Sequence, residues 1–140
     1  MKPFLSEILK RLTELQNTPS VLNYKYNIAA ILFDPKSAEI ITEAKNNLPE
    51  QFKNIFEPAA EIGDSGATVH AEILCLEKSP VSTQGKALAV TDPICPNCMK
   101  SVVAAGIEEI YILETGFSKG LWYNSKDERG VARARYFDDV

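Results

Sequence analysis

The sequence contains no apolar run approaching the roughly 20 residues that a helix needs to cross a bilayer, which excludes a transmembrane helix as its organising feature. It has only 3 Cys, and an odd number argues against a disulfide framework. It has a single His, and it lacks repeats, low-complexity tracts and any internal linker. Positive charge is the scarcer sign, with 15 Lys and Arg against 19 Asp and Glu and a net charge of −4. An acidic surface repels phosphate backbones unless basic side chains are concentrated locally, so a large nucleic-acid substrate is disfavoured and a small molecule is not. The one basic cluster, Arg129, Arg133 and Arg135, is flanked by acids. It reads first as a solvated helix face and second as a phosphate grip. The opening Met1-Lys2-Pro3-Phe4 leads into a charged amphipathic stretch rather than an unbroken apolar signal core. The expectation is an intracellular, cytoplasmic protein with no membrane partner.

What is present suits one domain. The 140 residues, 45% hydrophobic and 24% charged, are enough for a full core, and residues 1–140 are expected to form it. Leu5, Ile8, Leu9, Leu12 and Leu15 recur at helical steps, with Pro3 in the first turn, where its missing N–H costs nothing, and Asn17, Thr18 and Pro19 as the stop. Asn27 to Phe33 is a short, nearly continuous apolar run, the pattern of a buried strand. Asp34-Pro35-Lys36-Ser37 is a turn, and Glu39 to Thr42 returns as an antiparallel strand. Lys45 to Thr68 is the least regular stretch, with Phe52, Ile55 and Phe56 at the spacing of a short helix and Gly63 to Gly66 as a flexible approach to the next helix. Val69 to Lys78 predicts that helix, Lys86 to Val90 a strand, Pro96 to Ala105 a helix closed by Gly106, and Ile110 to Leu113 a strand. Ser125 to Glu128 has the form of a capping box, so a last helix is expected to run to about Arg135. Helices alternating with apolar strands predict a mixed sheet covered on both faces, with right-handed parallel crossovers between Lys86 and Leu113.

The chemistry concentrates in two short segments. The lone His sits in His70-Ala71-Glu72, and Cys95-Pro96-Asn97-Cys98 lies further along the chain. Each opens a predicted helix, where unpaired N–H groups and the positive dipole end favour a thiolate, the form of Cys that binds metal. Imidazole and two thiolates suit Zn²⁺. Three protein ligands leave the fourth tetrahedral position for water, the arrangement of a catalytic zinc. Glu72 then has a task, to take a proton from that water and deliver it to the substrate. One geometric condition applies: residues i and i+2 inside a helix point about 200° apart, so His70 and Glu72 share a site only if His70 lies at the very start of the helix.

His70-Ala71-Glu72 with Pro93-Ile94-Cys95-Pro96-Asn97-Cys98 resembles the zinc cytidine/deoxycytidylate deaminase superfamily. The likeness extends over about residues 24 to 115, taking in the Asn27 to Phe33 strand and Ala104-Ala105-Gly106-Ile107-Glu108-Glu109-Ile110-Tyr111. It implies an α/β fold, a three-layer α-β-α sandwich on a mixed central sheet of about five strands. It implies one Zn²⁺ per chain on His70, Cys95 and Cys98, with Glu72 as proton shuttle and Asn46 and Ala71 at the substrate; Asn47 is the weaker candidate beside Asn46. The activity implied is hydrolytic deamination of a nucleobase, with a cytosine nucleoside or nucleotide ahead of guanine or a transfer-RNA adenosine. A homodimer or larger homo-oligomer is implied by analogy. The family usually has Pro immediately before the first Cys; here Ile94 intervenes, and an extra residue is expected in the strand before the site.

Plainer readings stand beside these. Cys-x-x-Cys alone fits a redox pair, or a structural zinc in an inactive interaction module, though an intact Glu72 argues for catalysis. Cys75, between Leu74 and Leu76, reads as a small core residue and not a fourth ligand. Phe52 and Phe56 read as core before they read as a base-stacking lid. Trp122 and Tyr123 border the pocket or pack as a tail on the sheet.

Overall fold

The computed structural model describes residues 3–18, 28–46, 69–92, 94, 96–113 and 133–137. The first element is helix α1 (Pro3–Gln16), which buries Leu5, Ile8 and Leu12 along one stripe. Strand β1 (Ala29–Phe33) is buried at every position. It turns through Asp34, whose Oδ1 accepts from the amides of Lys36 at 2.8 Å and Ser37 at 3.3 Å, into the antiparallel β2 (Ile40–Lys45). Leu32 faces Thr42 and Phe33 faces Ile40, so Ile41 is an inserted residue, a bulge that adds local twist. Beyond lie helix α2 (Ala71–Lys78), strand β3 (Ala87–Val90), helix α3 (Pro96–Ala104), and strands β4 (Glu109–Ile112) and β5 (Arg133–Tyr136).

The sheet has the order β2-β1-β3-β4-β5. β1 is antiparallel to both neighbours, whereas β3–β4 and β4–β5 are parallel, so the sheet is mixed as expected. Successive strand residues point to opposite faces, and the two faces carry different cores. Ala30, Leu32, Leu88, Val90, Ile110 and Ile112 pack with Ala71 and Cys75 of α2 and Cys98 and Val102 of α3. Ala29, Ile31, Phe33, Ala87, Ala89 and Tyr111 pack with Leu5, Ile8 and Leu12 of α1. Helices therefore cover both sides, in three layers. On the α1 face the alanines leave room for the helix, and Phe33, Tyr111 and Phe137 fill the rest, with ring centroids 6.2 and 5.8 Å apart in successive pairs.

Polar bonds tie helices to sheet. Arg11 of α1 grips the Glu43 carboxylate of β2 with two nitrogens, one of them at 3.0 Å. Lys45 donates to the carbonyls of Thr18 at 2.6 Å and Gln16 at 3.4 Å, satisfying acceptors at the end of α1. Thr42 donates to the Cys75 carbonyl at 2.9 Å, and the Cys75 thiol lies 3.2 Å from the Ala30 carbonyl, so α2 is fastened to β1 and β2.

One expectation is corrected. Residues 133–136 form a strand, not the end of a helix. The Ser125–Glu128 capping box is a local signal, while Arg-Ala-Arg-Tyr alternates with the period of a strand, and the edge of β4 supplies backbone partners; tertiary pairing overrides local propensity. This strand completes the five. Before the site, β3 ends at Val90, the chain bends at Thr91 and Asp92, and Ile94 is 1% exposed in the core. The expected helix around Phe52, Ile55 and Phe56 lies outside the described residues, as do Asn47, Trp122, Tyr123, Arg129 and the capping box.

Candidate active site

Pairing brings the start of β1 and the ends of β2, β3 and β4 to one edge of the sheet. Ala29 lies opposite Lys45, Ala30 opposite Val90, and Val90 opposite Ile112. At such an edge, outside the carboxyl ends of parallel strands, α/β folds leave a crevice. Helix α3 begins just after β3, so its first turn lies at this edge.

His70 is the N-cap of α2. Its backbone is extended, φ −67° and ψ 147°, and its carbonyl accepts the first helical hydrogen bond from Leu74 at 3.1 Å. That break in helical phase meets the condition set by the sequence: His70 and Glu72 do not follow the helical 100° per residue, and both reach one point. Ser, Thr, Asp or Asn at an N-cap would turn its side chain back onto the helix amides. The imidazole makes no such bond, and its Nδ1 lies 3.0 Å from the Sγ of Cys98 in the first turn of α3. The donor atoms of His70, Glu72 and Cys98 all lie within 4.8 Å of one another. Cys95 lies outside the described residues, so Glu72 is the third metal-capable group of this cluster among those described.

Glu72 is 4% exposed. Burial pushes its carboxyl up to about 7, and the negative charge of Asp92 acts in the same direction, against hydrogen bonds from its own amide and the Cys98 thiol. A carboxyl near 7 can both hold and release a proton at neutral pH. Cys98 is buried, and Asp92 sits at the bend after β3.

The donor chemistry fits zinc. Imidazole and thiol are ligand types zinc prefers, and their 3.0 Å separation is close to the roughly 3.5 Å that a tetrahedral ion with ordinary Zn–N and Zn–S bonds would set. Cys75 is fully buried on the next turns of α2, bonded towards Ala30 and Thr42, and its thiol is pushed up to about 12 by burial. That environment disfavours a thiolate ligand.

Asn46 follows β2 at the same edge and is 6% exposed. Its Oδ1 accepts from the Ile28 amide at 3.0 Å, and its own amide donates to the Ile28 carbonyl at 3.0 Å. Ala71 is fully buried, and its side chain belongs to the core. Reading the sequence alone singles out Ile94 but misses Thr91 and Asp92. The signal available was the change from an apolar run to Thr-Asp-Pro directly before the cysteines.

A sequence model of the cytidine and deoxycytidylate deaminase zinc-binding region matches residues 5–114. No curated protein matches the chain in sequence. Among solved structures, a dCMP deaminase from the cyanophage S-TIM5, in complex with dCMP and dUMP, is similar at a TM-score of 0.69 and 21% identity, over 98% of this chain and 99% of that one. A diaminohydroxyphosphoribosylaminopyrimidine deaminase/reductase from Thermotoga maritima has a TM-score of 0.63 and 18% identity, over 95% of this chain and 36% of that one. A guanine deaminase from Nitrosomonas europaea has a TM-score of 0.51 and 17% identity, over 97% and 85%. At these identities the likeness is one of fold.

Proposed function

Because the chain belongs to the cytidine and deoxycytidylate deaminase zinc-binding family, we propose that it is a zinc-dependent hydrolytic deaminase acting on a cytosine nucleoside or nucleotide. Water adds to the base carbon that carries the exocyclic amine, the carbon–nitrogen bond breaks, and the products are a ring carbonyl and ammonia. The observation that carries this reading is the meeting of His70, Glu72 and Cys98 at the buried sheet edge.

His70, Cys95 and Cys98 would hold one zinc per chain, and zinc, when bound, supplies the Lewis acidity that makes water a competent nucleophile near neutral pH. Glu72 takes a proton from the attacking water on a carboxylate oxygen, gives it to the ring nitrogen beside the reacting carbon, and carries the next proton to the departing amine. Its burial supports this role, because a desolvated carboxyl near 7 gives up and regains a proton at small cost. Ala71, with its side chain in the core, would meet the base through its amide in the first turn of α2, where helix N–H groups lack intrahelical partners. Asn46, held by the start of β1, would contact the sugar or base from the other side of the edge.

A cytosine nucleotide is favoured by the full-length likeness of fold to a dCMP deaminase. The guanine reading rests on a weaker likeness. Homo-oligomeric assembly and a cytoplasmic location belong to the same proposal; among the described residues no helix is long and apolar enough to cross a membrane. Ammonia release from cytidine, deoxycytidine, deoxycytidylate, guanine and adenosine tests it. Turnover of a cytosine compound is expected, release from a purine alone would move the assignment to that base, and no release by zinc-loaded protein would leave a non-catalytic zinc module. His70→Ala is expected to lose the metal; full retention of zinc would remove His70 from the ligand set.

A further inference from the structure

The first two residues of the β1 path are clamped from both sides by side chains. On the β2 side, the Ile28 amide donates to Asn46 Oδ1 at 3.0 Å. On the β3 side, the Ala29 amide donates to Thr91 Oγ1 at 3.1 Å, while the Thr91 amide donates to the Ala29 carbonyl at 3.0 Å. Thr91 is fully buried. It stands where β3 stops being a strand: Val90 is the last paired residue, its carbonyl accepting from Leu113 at 2.9 Å, and the chain then bends towards α3. At that bend the ladder gives out, and a buried N–H without an acceptor is costly. The Thr91 hydroxyl fills that role for Ala29. Three residues on, Ile94 is sunk in the core with Ala71 and Cys98, so the segment that delivers Cys98 to His70 leaves from a polar anchor and passes an apolar one.

We propose that Thr91 is a positioning residue for the zinc-binding arm. Its hydroxyl sets the point from which the chain leaves β3 at Asp92 towards α3, and so the meeting of Cys98 with His70. The inference rests on the zinc reading above.

The test compares wild type, Thr91→Ser, Thr91→Val and Leu12→Ala, the last on α1 across the sheet. Zinc transfer to a chromophoric chelator and the visible spectrum of the Co²⁺-loaded proteins are measured, with melting temperatures alongside. Thr91→Val replaces the hydroxyl by a methyl group on a side chain of nearly the same shape, leaving the Ala29 amide without its acceptor. It is expected to release zinc about 10-fold faster, the lower end for residues that orient ligands indirectly, and to alter the Co²⁺–thiolate band. Thr91→Ser, which keeps the hydroxyl, should stay close to wild type, and Leu12→Ala should release zinc at the wild-type rate despite its lower melting temperature. Thr91→Val matching wild type in rate and spectrum would overturn the inference, as would Leu12→Ala losing zinc as fast as Thr91→Val. Should Thr91→Val not fold, hydrogen exchange of the wild type decides. Coupling is reciprocal, so zinc loading must protect the Ala29 amide beyond the rise at Ile31, and an equal rise refutes the role. A wild type that binds no zinc refutes the function reading itself, and this inference with it.

Discussion

Glu72 is a carboxyl on a helix whose other inward positions are Ala71 and Cys75, and burial holds it near 7. Glu72→Gln preserves the shape and removes the titratable carboxyl. It is expected to retain about one zinc per chain and to lose at least about 10²-fold in kcat, read by metal analysis and steady-state kinetics; near-normal turnover would dismiss Glu72 as the proton carrier. Cys75 is the contrasting residue on the same helix. Its thiol is pushed up to about 12 by burial, so at pH 8 it should stay silent to thiol reagents in the folded protein, and Cys75→Ala should leave zinc content unchanged. The same shift has a sign for stability. The unfolded chain loses this proton around the ordinary thiol value and the native state only near 12, so stability falls as pH rises across that window. Melting scans should show a shallower alkaline decline for Cys75→Ala than for wild type.

At the scale of elements, α3 and β4 are joined by a turn that depends on one glycine. Gly106 has φ +82°, its amide donates to the Val103 carbonyl at 3.0 Å, and its carbonyl accepts from Gly85 at 2.9 Å. A Cβ there would lie 3.1 Å from Gln84 Cα and closer still to its carboxamide. Gly106→Ala therefore combines left-handed strain with a tight contact on the Gln84 backbone and displacement of its carboxamide, and is expected to cost about 1–3 kcal/mol in urea unfolding; an unchanged midpoint would mean that the turn relaxes freely. Helix α2 shows why an N-cap matters to chemistry. Its extended His70 lets two residues that a continuous helix would separate meet Cys98. The sequence pattern located α1, α2, α3 and the first four strands within a few residues, because each carries a strong apolar period or a Pro or Gly boundary. It missed β5, where four residues of alternating character compete with a helical capping signal and only the edge of β4 decides between them.

For the whole molecule, one sheet edge gathers metal-capable side chains from two helices and a clamp from three strands, so a metal bound there would be coupled to the fold. Chelating zinc from purified protein is expected to lower the melting temperature, by an amount corresponding to about 2.7 kcal/mol when free zinc had stood at 100 times its Kd; identical melting with and without chelator would mean that no zinc was held by the native state. The sequence by itself pointed to the family and to the kind of chemistry proposed. A lone His, a Glu two places on and a Cys-x-x-Cys pair are residue types able to ligate metal and carry protons, visible without coordinates, and the apolar periods determined most of the elements. Only the tertiary structure decided that His70 abandons the helical phase, that Ile94 turns into the core, that Thr91 and Asn46 close the start of β1, and that the chain's end adds a strand. These outcomes depend on which buried N–H, carbonyl or apolar surface lies opposite. That is a property of contacts between residues distant in the chain, and no local pattern encodes it.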